Sequence, residues 1–137
     1  MHNERSKNLQ GLYELFSRLA DEGLLAMTAS DYLRDPGAGR GRLPVFVEMT
    51  ALLKRRMELG SHGYCGYRGA LWFDPRRELE FCAGLTALPI HFCLAGDSSD
   101  PQERWAFGSY LLDRMLAVGL HVEWNGRPAC AMYLKDR

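Results

Sequence analysis

The chain lacks nearly every short signature that announces chemistry. Its 137 residues hold no C-x-x-C pair, no glycine loop ending in Lys-Ser or Lys-Thr, and no motif joining a nucleophile to its base. Paired metal knuckles and a P-loop are thereby excluded. Lysine is scarce, 3 residues against 14 arginines, and an excess of either charge is missing, since 17 basic and 17 acidic side chains cancel. A cancelled charge gives no whole-molecule field toward nucleic acid or an anionic membrane surface, so nucleic acid is disfavoured as a partner and any binding is local. No apolar run approaches the roughly 18 residues that span a bilayer. Met1-His2-Asn3-Glu4-Arg5 carries charges with no apolar segment behind them. The expectation is a single-domain cytoplasmic protein without a membrane partner.

Cysteine is present but unpatterned. Cys65, Cys82, Cys93 and Cys130 are widely spaced, each in an apolar or aromatic neighbourhood that reads as strand. Reduced core thiols are the expectation.

Apolar spacing outlines the elements. Leu9, Leu12, Tyr13, Phe16, Leu19 and Ala20 recur at three and four residues, which predicts a helix over about 6–22 closed by Gly23. Leu24 to Thr28 reads as a short buried strand, and 35–42 as the one flexible stretch, a Gly/Arg loop. Pro44 opens a second helix with Phe46, Val47, Leu52, Leu53 and Met57 inward, ending at Gly60. Three strands are predicted next, Tyr64 to Phe73, Leu79 to Leu85 and Ile90 to Ala95, separated by Asp74-Pro75 and Leu88-Pro89. Asp100, Pro101 and Glu103 then form the start of a helix bearing Trp105, Leu112, Met115 and Leu116 and closing at Gly119. Asn125-Gly126 reads as a type I′ turn between His121–Trp124 and Arg127–Leu134. In that register the last strand is apolar on both sides, which suits either a strand internal to the sheet or half of an association surface. Trp105, Trp124, Tyr133 and Tyr110 are expected in the core. The sum is an α+β fold, a mostly antiparallel sheet with about three helices on one face, ending in a helix followed by a β-hairpin.

Phe16, Leu19, Gly23, Leu24 and Ala26, then Gly63-Tyr64, His91 to Gly96, Gly108, Leu112, and Gly119-Leu120 with Val122 and Trp124-Asn125-Gly126 form a longer pattern. The chain thereby resembles a bacterial family of small soluble domains of unknown function, patterned F-x-x-L-x-x-x-G-I-x-A, G-Y, L-Y-L-A-Y-G and A-G-L-x-V-x-W-D-G. Val118 stands where that family has Ala, and Asn125 where it has Asp. The family's F-H-x-Q-D stretch after G-Y is absent here, replaced by Cys65 to Gly69. The resemblance spans most of the chain through packing and turn residues. It implies the fold and a cytoplasmic bacterial origin, and carries no activity.

Three constellations could bear chemistry. His62, Cys65, His91 and Cys93 could meet as a tetrahedral zinc site, because residues two apart on a strand share a face. Cys65 could act as a nucleophile with His62 or His91 as base. Arg34, Arg40, Arg42, Lys54, Arg55 and Arg56 gather near the glycine loop with Tyr32 and Phe46, though Asp31, Asp35, Glu48 and Glu58 interleave. Core thiols, a strand-capping histidine and a solvated helix face explain the same residues. The missing catalytic set favours a protein–protein interaction module over an enzyme. Such a module, of inhibitor or immunity type, would bind another protein or itself as a homodimer. It would use Arg40, Arg42, Arg55, Trp124 and Arg127, with no cofactor. The alternative is a cysteine- or zinc-dependent enzyme or a small-ligand-binding protein.

Overall fold

The computed structural model describes residues 4–39, 43–61, 67–95 and 100–135. The first apolar stripe forms α1 (Glu4–Asp21), burying Leu9, Leu12, Leu15, Phe16 and Leu19. After Gly23 the chain enters β1 (Leu24–Met27), a one-turn helix α2 (Ala29–Leu33) and α3 (Val45–Ser61). On α3, Met49, Leu52, Leu53 and Met57 are buried, whereas Val47, expected inward, is 47% exposed.

The stretch Leu79 to Leu85 is not a strand. Residues Pro75–Cys82 form a helix, α4, and Leu79 stands 72% exposed on it. Asp74 is its N-cap, accepting from the Arg76 amide at 2.9 Å, and Pro75 takes the first helical position, where its missing N–H costs nothing. Gly84 closes it at φ 80°, with its amide on the Phe81 carbonyl and the Leu85 amide on Glu80, the paired bonds of a Schellman cap. The same grammar builds α5 (Pro101–Ala117), where Asp100 accepts from the Gln102 amide at 2.9 Å and Gly119 turns at φ 85°. The inward face of α5 is Phe107, Leu111 and Met115, leaving Trp105 52% exposed, contrary to the expectation that it is core.

The strands β1, β2 (Gly69–Trp72), β3 (Leu88–Leu94), β4 (Val122–Glu123) and β5 (Met132–Leu134) make one mixed sheet in the order β1-β2-β3-β5-β4. Every pairing is antiparallel except β1 with β2. That parallel pair needs a crossover, and the crossover carries α3 over the sheet face opposite α1 and α5. Helices therefore cover both faces rather than one. Leu88, Ile90, Phe92 and Leu94 of β3 point into the core under α1, α4 and α5, while Cys93 faces the second core of Met27, Tyr32, Met49, Leu53, Met57, Ala70 and Trp72. Pro89 lies inside β3, opposite Tyr133. The β2 ladder stops at Trp72 and His91, so no strand faces Pro89 on that side.

The terminal register also differs from expectation. Val122 pairs with Leu134 and Glu123 with Tyr133, so residues 124–131 form a wide loop in place of a two-residue turn. Gly126 has φ 81°, but no residue other than glycine has positive φ among those described, so Asn125 does not support a type I′ turn. The shift is odd in residues and flips the strand faces. Met132 and Leu134 are buried in the main core and Tyr133 is 44% exposed. The last strand is therefore internal to the sheet, between β3 and β4, as one of the two expected alternatives has it, but it is buried on one face only. Asn8, itself buried, ties α1 to this end by donating to the Lys135 carbonyl at 2.6 Å.

Among the described residues no helix is long and apolar enough to cross a membrane.

Candidate functional site

Tyr13, Phe16, Ser17 and Ala20 fall three and four residues apart on α1 and share one face of it. Opposite stand Ala26 of β1, the Thr28–Asp31 segment that opens α2, and Glu78 in the first turns of α4. Together they line a cleft of about 600 Å³. Its walls are fixed locally. Thr28 Oγ1 accepts from the Asp31 amide at 3.2 Å while Asp31 Oδ2 accepts from the Thr28 amide at 3.0 Å, a reciprocal capping box. The Tyr13 ring stacks on Phe73 with centroids 6.4 Å apart, and Phe16 tilts against the same ring at 5.6 Å.

The Tyr13 hydroxyl donates to Glu78 Oε2. Glu78 is half-buried, and burial pushes its carboxyl above the ordinary carboxylate range. Its partner is a neutral phenol; among the described residues no Lys, Arg or His forms an ion pair with it. The second carboxylate in the lining, Asp31, is committed to its capping amide and, on Oδ1, to Arg34 at 3.4 Å.

The constellations expected from sequence fare differently. His62, Cys65, Arg40 and Arg42 lie outside the described residues. His91 and Cys93 do share the α3 face of β3, but each is spent on packing. The His91 ring lies 4.9 Å from Phe46 and 6.1 Å from Trp72. Cys93 Sγ lies 3.8 Å from Met57 Sδ, and burial pushes its thiol up, against the weaker pull of Lys54, which keeps it protonated near neutrality. No three His, Cys, Asp or Glu side chains gather to hold a metal among the described residues. Cys82 is an exposed helical residue rather than a strand core thiol.

The glycine loop is tied down where it is described. Buried Tyr32 donates to Glu48 Oε2 at 3.0 Å and accepts from the Gly39 amide at 2.6 Å, and the Leu43 amide reaches Glu48 Oε1 at 3.2 Å. Asp35 accepts from Arg56 at 2.6 Å and from the Gly37 amide at 2.7 Å. Residues 35–39 are thus tied to α2 and α3 by hydrogen bonds, and Arg34 and Arg56 of the expected basic patch are held by Asp31 and Asp35. Arg55 is exposed on α3.

Trp124, expected at a binding surface, anchors the 124–131 loop. Its Nε1 donates to the carbonyls of Arg127 and Cys130 at 3.1 and 3.2 Å, and its ring meets Phe92 edge-on at 5.8 Å. A side chain at Gly108 would put its Cβ 2.6 Å from the Trp124 ring, which is why α5 has glycine there. Arg127 is exposed, with its amide on Asn125 Oδ1 at 2.9 Å.

Tyr13 and Glu78 were missed in the sequence. Tyr13 hid in an apolar stripe. Glu78 is hidden because the apolar run from Leu79 to Leu85 mimics a strand, although Asp74-Pro75 carries the same helix-start signal that opens α5. Comparison with protein-family models, curated proteins and solved structures found no match to this chain.

His91 gives the site's neighbour face a pH dependence. Burial holds its imidazole below the ordinary 6.5, and Arg77 adds to the effect while Asp74 opposes it. The unfolded chain therefore takes up this proton first as pH falls. Stability is full above about pH 6.5 and declines from there down through the lowered folded value. His91→Phe keeps a ring against Phe46 and Trp72 and is expected to flatten the fall in urea midpoint between pH 7 and pH 5. An unchanged slope in the variant assigns it elsewhere.

Proposed function

We propose that the protein binds a small organic ligand in the cleft between α1, β1, α2 and α4. The observation that carries this is Glu78, a half-buried carboxylate held by Tyr13 and without a basic partner among the described residues, at the edge of an aromatic-walled cleft of about 600 Å³. Ligand sites commonly occupy about 300–1,000 Å³, with a few polar groups converging on a largely apolar wall. A titratable group shifted by burial in such a place is a recurrent mark of function. Phe16, Ala20 and Ala26 supply apolar wall, and Ser17, Thr28 and Ser30 supply hydroxyls. Binding fits better than catalysis, because none of the cysteines described lies in the cleft lining and no nucleophile–base pair is formed there.

Titration of ¹⁵N-labelled protein with small amines, alcohols and acids, followed by amide shifts, tests the reading. Shifts gathered on Tyr13, Ser17, Ala26 and Glu78 are expected. Shifts scattered over the surface, or none at millimolar ligand, count against it.

A second reading, a module that binds another protein or a second copy of itself, is supported by Leu43, Val45 and Val47. All three stand exposed where α3 begins, beside the pinned loop. Sedimentation velocity at micromolar concentration is then expected to give a dimer. A monomer that also leaves its host without a stoichiometric partner removes this reading.

A further inference from the structure

We infer that the α1–α4 cleft takes a small organic cation, a primary ammonium carried on an aromatic or alkyl body. The inference rests on the ligand-binding reading and names its chemistry. None of the side chains lining the cleft is basic, and two are carboxylates, Glu78 and Asp31. Asp31 is offset by Arg34 at 3.4 Å, so an anionic ligand would meet the uncompensated Glu78 carboxylate in a partly desolvated space. A neutral ligand would leave Glu78 without a countercharge. A cation supplies one where the protein does not, and a half-buried carboxylate gains most from that.

The hydrogen-bond inventory fits an ammonium. Tyr13 occupies Glu78 Oε2, which leaves Oε1 as an acceptor. The Tyr13 oxygen spends its proton on Glu78 and keeps lone pairs, and Ser17 Oγ, which leans on the Tyr13 carbonyl at 3.4 Å, keeps its own. An ammonium has three donors and no acceptor, matching acceptors left over in this corner. Tyr13 adds aromatic wall of the kind that attracts cations and accepts an apolar body, whereas Phe16, 3% exposed, adds only apolar lining. Asp31 is less available, since its oxygens already serve the Thr28 amide and Arg34. Glu78 is therefore the group that selects charge.

Three molecules of one shape and different charge decide the matter: phenethylammonium, phenethyl alcohol and 3-phenylpropionate, each titrated into the ¹⁵N-labelled full chain at pH 7.5. The ammonium is expected to shift the amides around Tyr13, Ser17 and Glu78 and to bind at least about 10-fold more tightly than the alcohol, the scale of one charge-assisted hydrogen bond. The propionate is expected to leave those amides unmoved. Glu78→Gln, checked for an unchanged amide dispersion, is expected to bring ammonium and alcohol within about 2-fold of each other. If the variant does not fold, the wild-type series still decides. Alcohol or propionate binding in the cleft as tightly as the ammonium overturns the cation inference and leaves the ligand-binding reading standing. Absence of cleft shifts with all three, and with the wider set of amines, alcohols and acids, overturns both.

Discussion

Replacing Phe73 by alanine is expected to cost about 3–5 kcal/mol of unfolding free energy, the range for deleting a fully buried phenylalanine. Phe73 is completely enclosed and immediately follows β2, where the chain leaves the sheet for the Asp74 cap of α4. Its ring backs both Tyr13 and Phe16. Truncation removes transfer energy and also leaves a void between α1 and the sheet that the rigid ladder of β2 with β1 and β3 cannot collapse into. In a chain of this size the loss corresponds to a fall in melting temperature of roughly 10–15 °C. Because the missing ring also supports the Tyr13 side of the cleft, the variant's Tyr13 and Glu78 resonances should broaden even well below the melting point. Calorimetry and urea titration measure the first effect, and a loss under about 1 kcal/mol would mean that the ring is not the keystone assigned to it.

Gly69→Ala tests the fold with a sign as well as a size. By backbone propensity alone, alanine in a strand should be better than glycine by about 0.5–1 kcal/mol. The structure predicts the opposite. A Cβ at position 69 would lie 2.4 Å from Cζ of Phe107 and 2.6 Å from the carbonyl oxygen of Cys93. The first contact can be relieved by moving a side chain. The second involves the backbone of β3, whose Leu94 is the register partner of Gly69, so relief requires opening the central ladder. A destabilisation of about 2–3 kcal/mol is expected. Trimming Phe107 to leucine in the Gly69→Ala background should recover little of it, because the carbonyl clash remains. A stabilised Gly69→Ala protein would contradict the close approach of β2 to β3 and α5.

Each of these residues sits where several elements converge, and their legibility in the sequence differed accordingly. The helices α1, α3 and α5 could be read because their apolar spacing and caps are local properties, written within one or two turns. The strands β1 and β3 could be read for the same reason, as short apolar runs. The α4 segment reads as a strand although its local helix signal is present. Asp74-Pro75 and Gly84 bracket it as Asp100-Pro101 and Gly119 bracket α5, but the run from Leu79 to Leu85 is apolar enough to mimic a strand. The α5 stripe is legible only in part. Met115 is buried as its spacing predicts, but Trp105 and Leu116 are exposed and Phe107 and Leu111 take the inward face, because a helix with apolar residues on more than one side does not declare which side meets the sheet.

The cleft was less legible than the fold. Its members come from α1, β1, α2 and α4, and the Tyr13 and Glu78 side chains that meet in it are separated by 65 positions in the chain. No spacing rule links a tyrosine in an amphipathic stripe to a glutamate in a helix read as a strand. His91, Cys93, Trp124 and Arg55 stand out in the sequence by chemical type alone. Burial then gave His91, Cys93 and Trp124 packing roles.

By itself the sequence determined the α+β class, the places where α1 and α5 begin or end, and the absence of a bilayer-spanning run, because each depends on residues near one another in the chain. Tertiary structure alone decided the rest. The parallel pairing of β1 with β2 put α3 on the second face, the docking of β5 beside β3 overrode the Asn125-Gly126 turn and flipped the terminal register, and the approach of α4 to α1 left Glu78 half-buried against Tyr13 without a cation among the described residues. Pairing, register and burial are energies shared between distant segments, and no local window of sequence contains them.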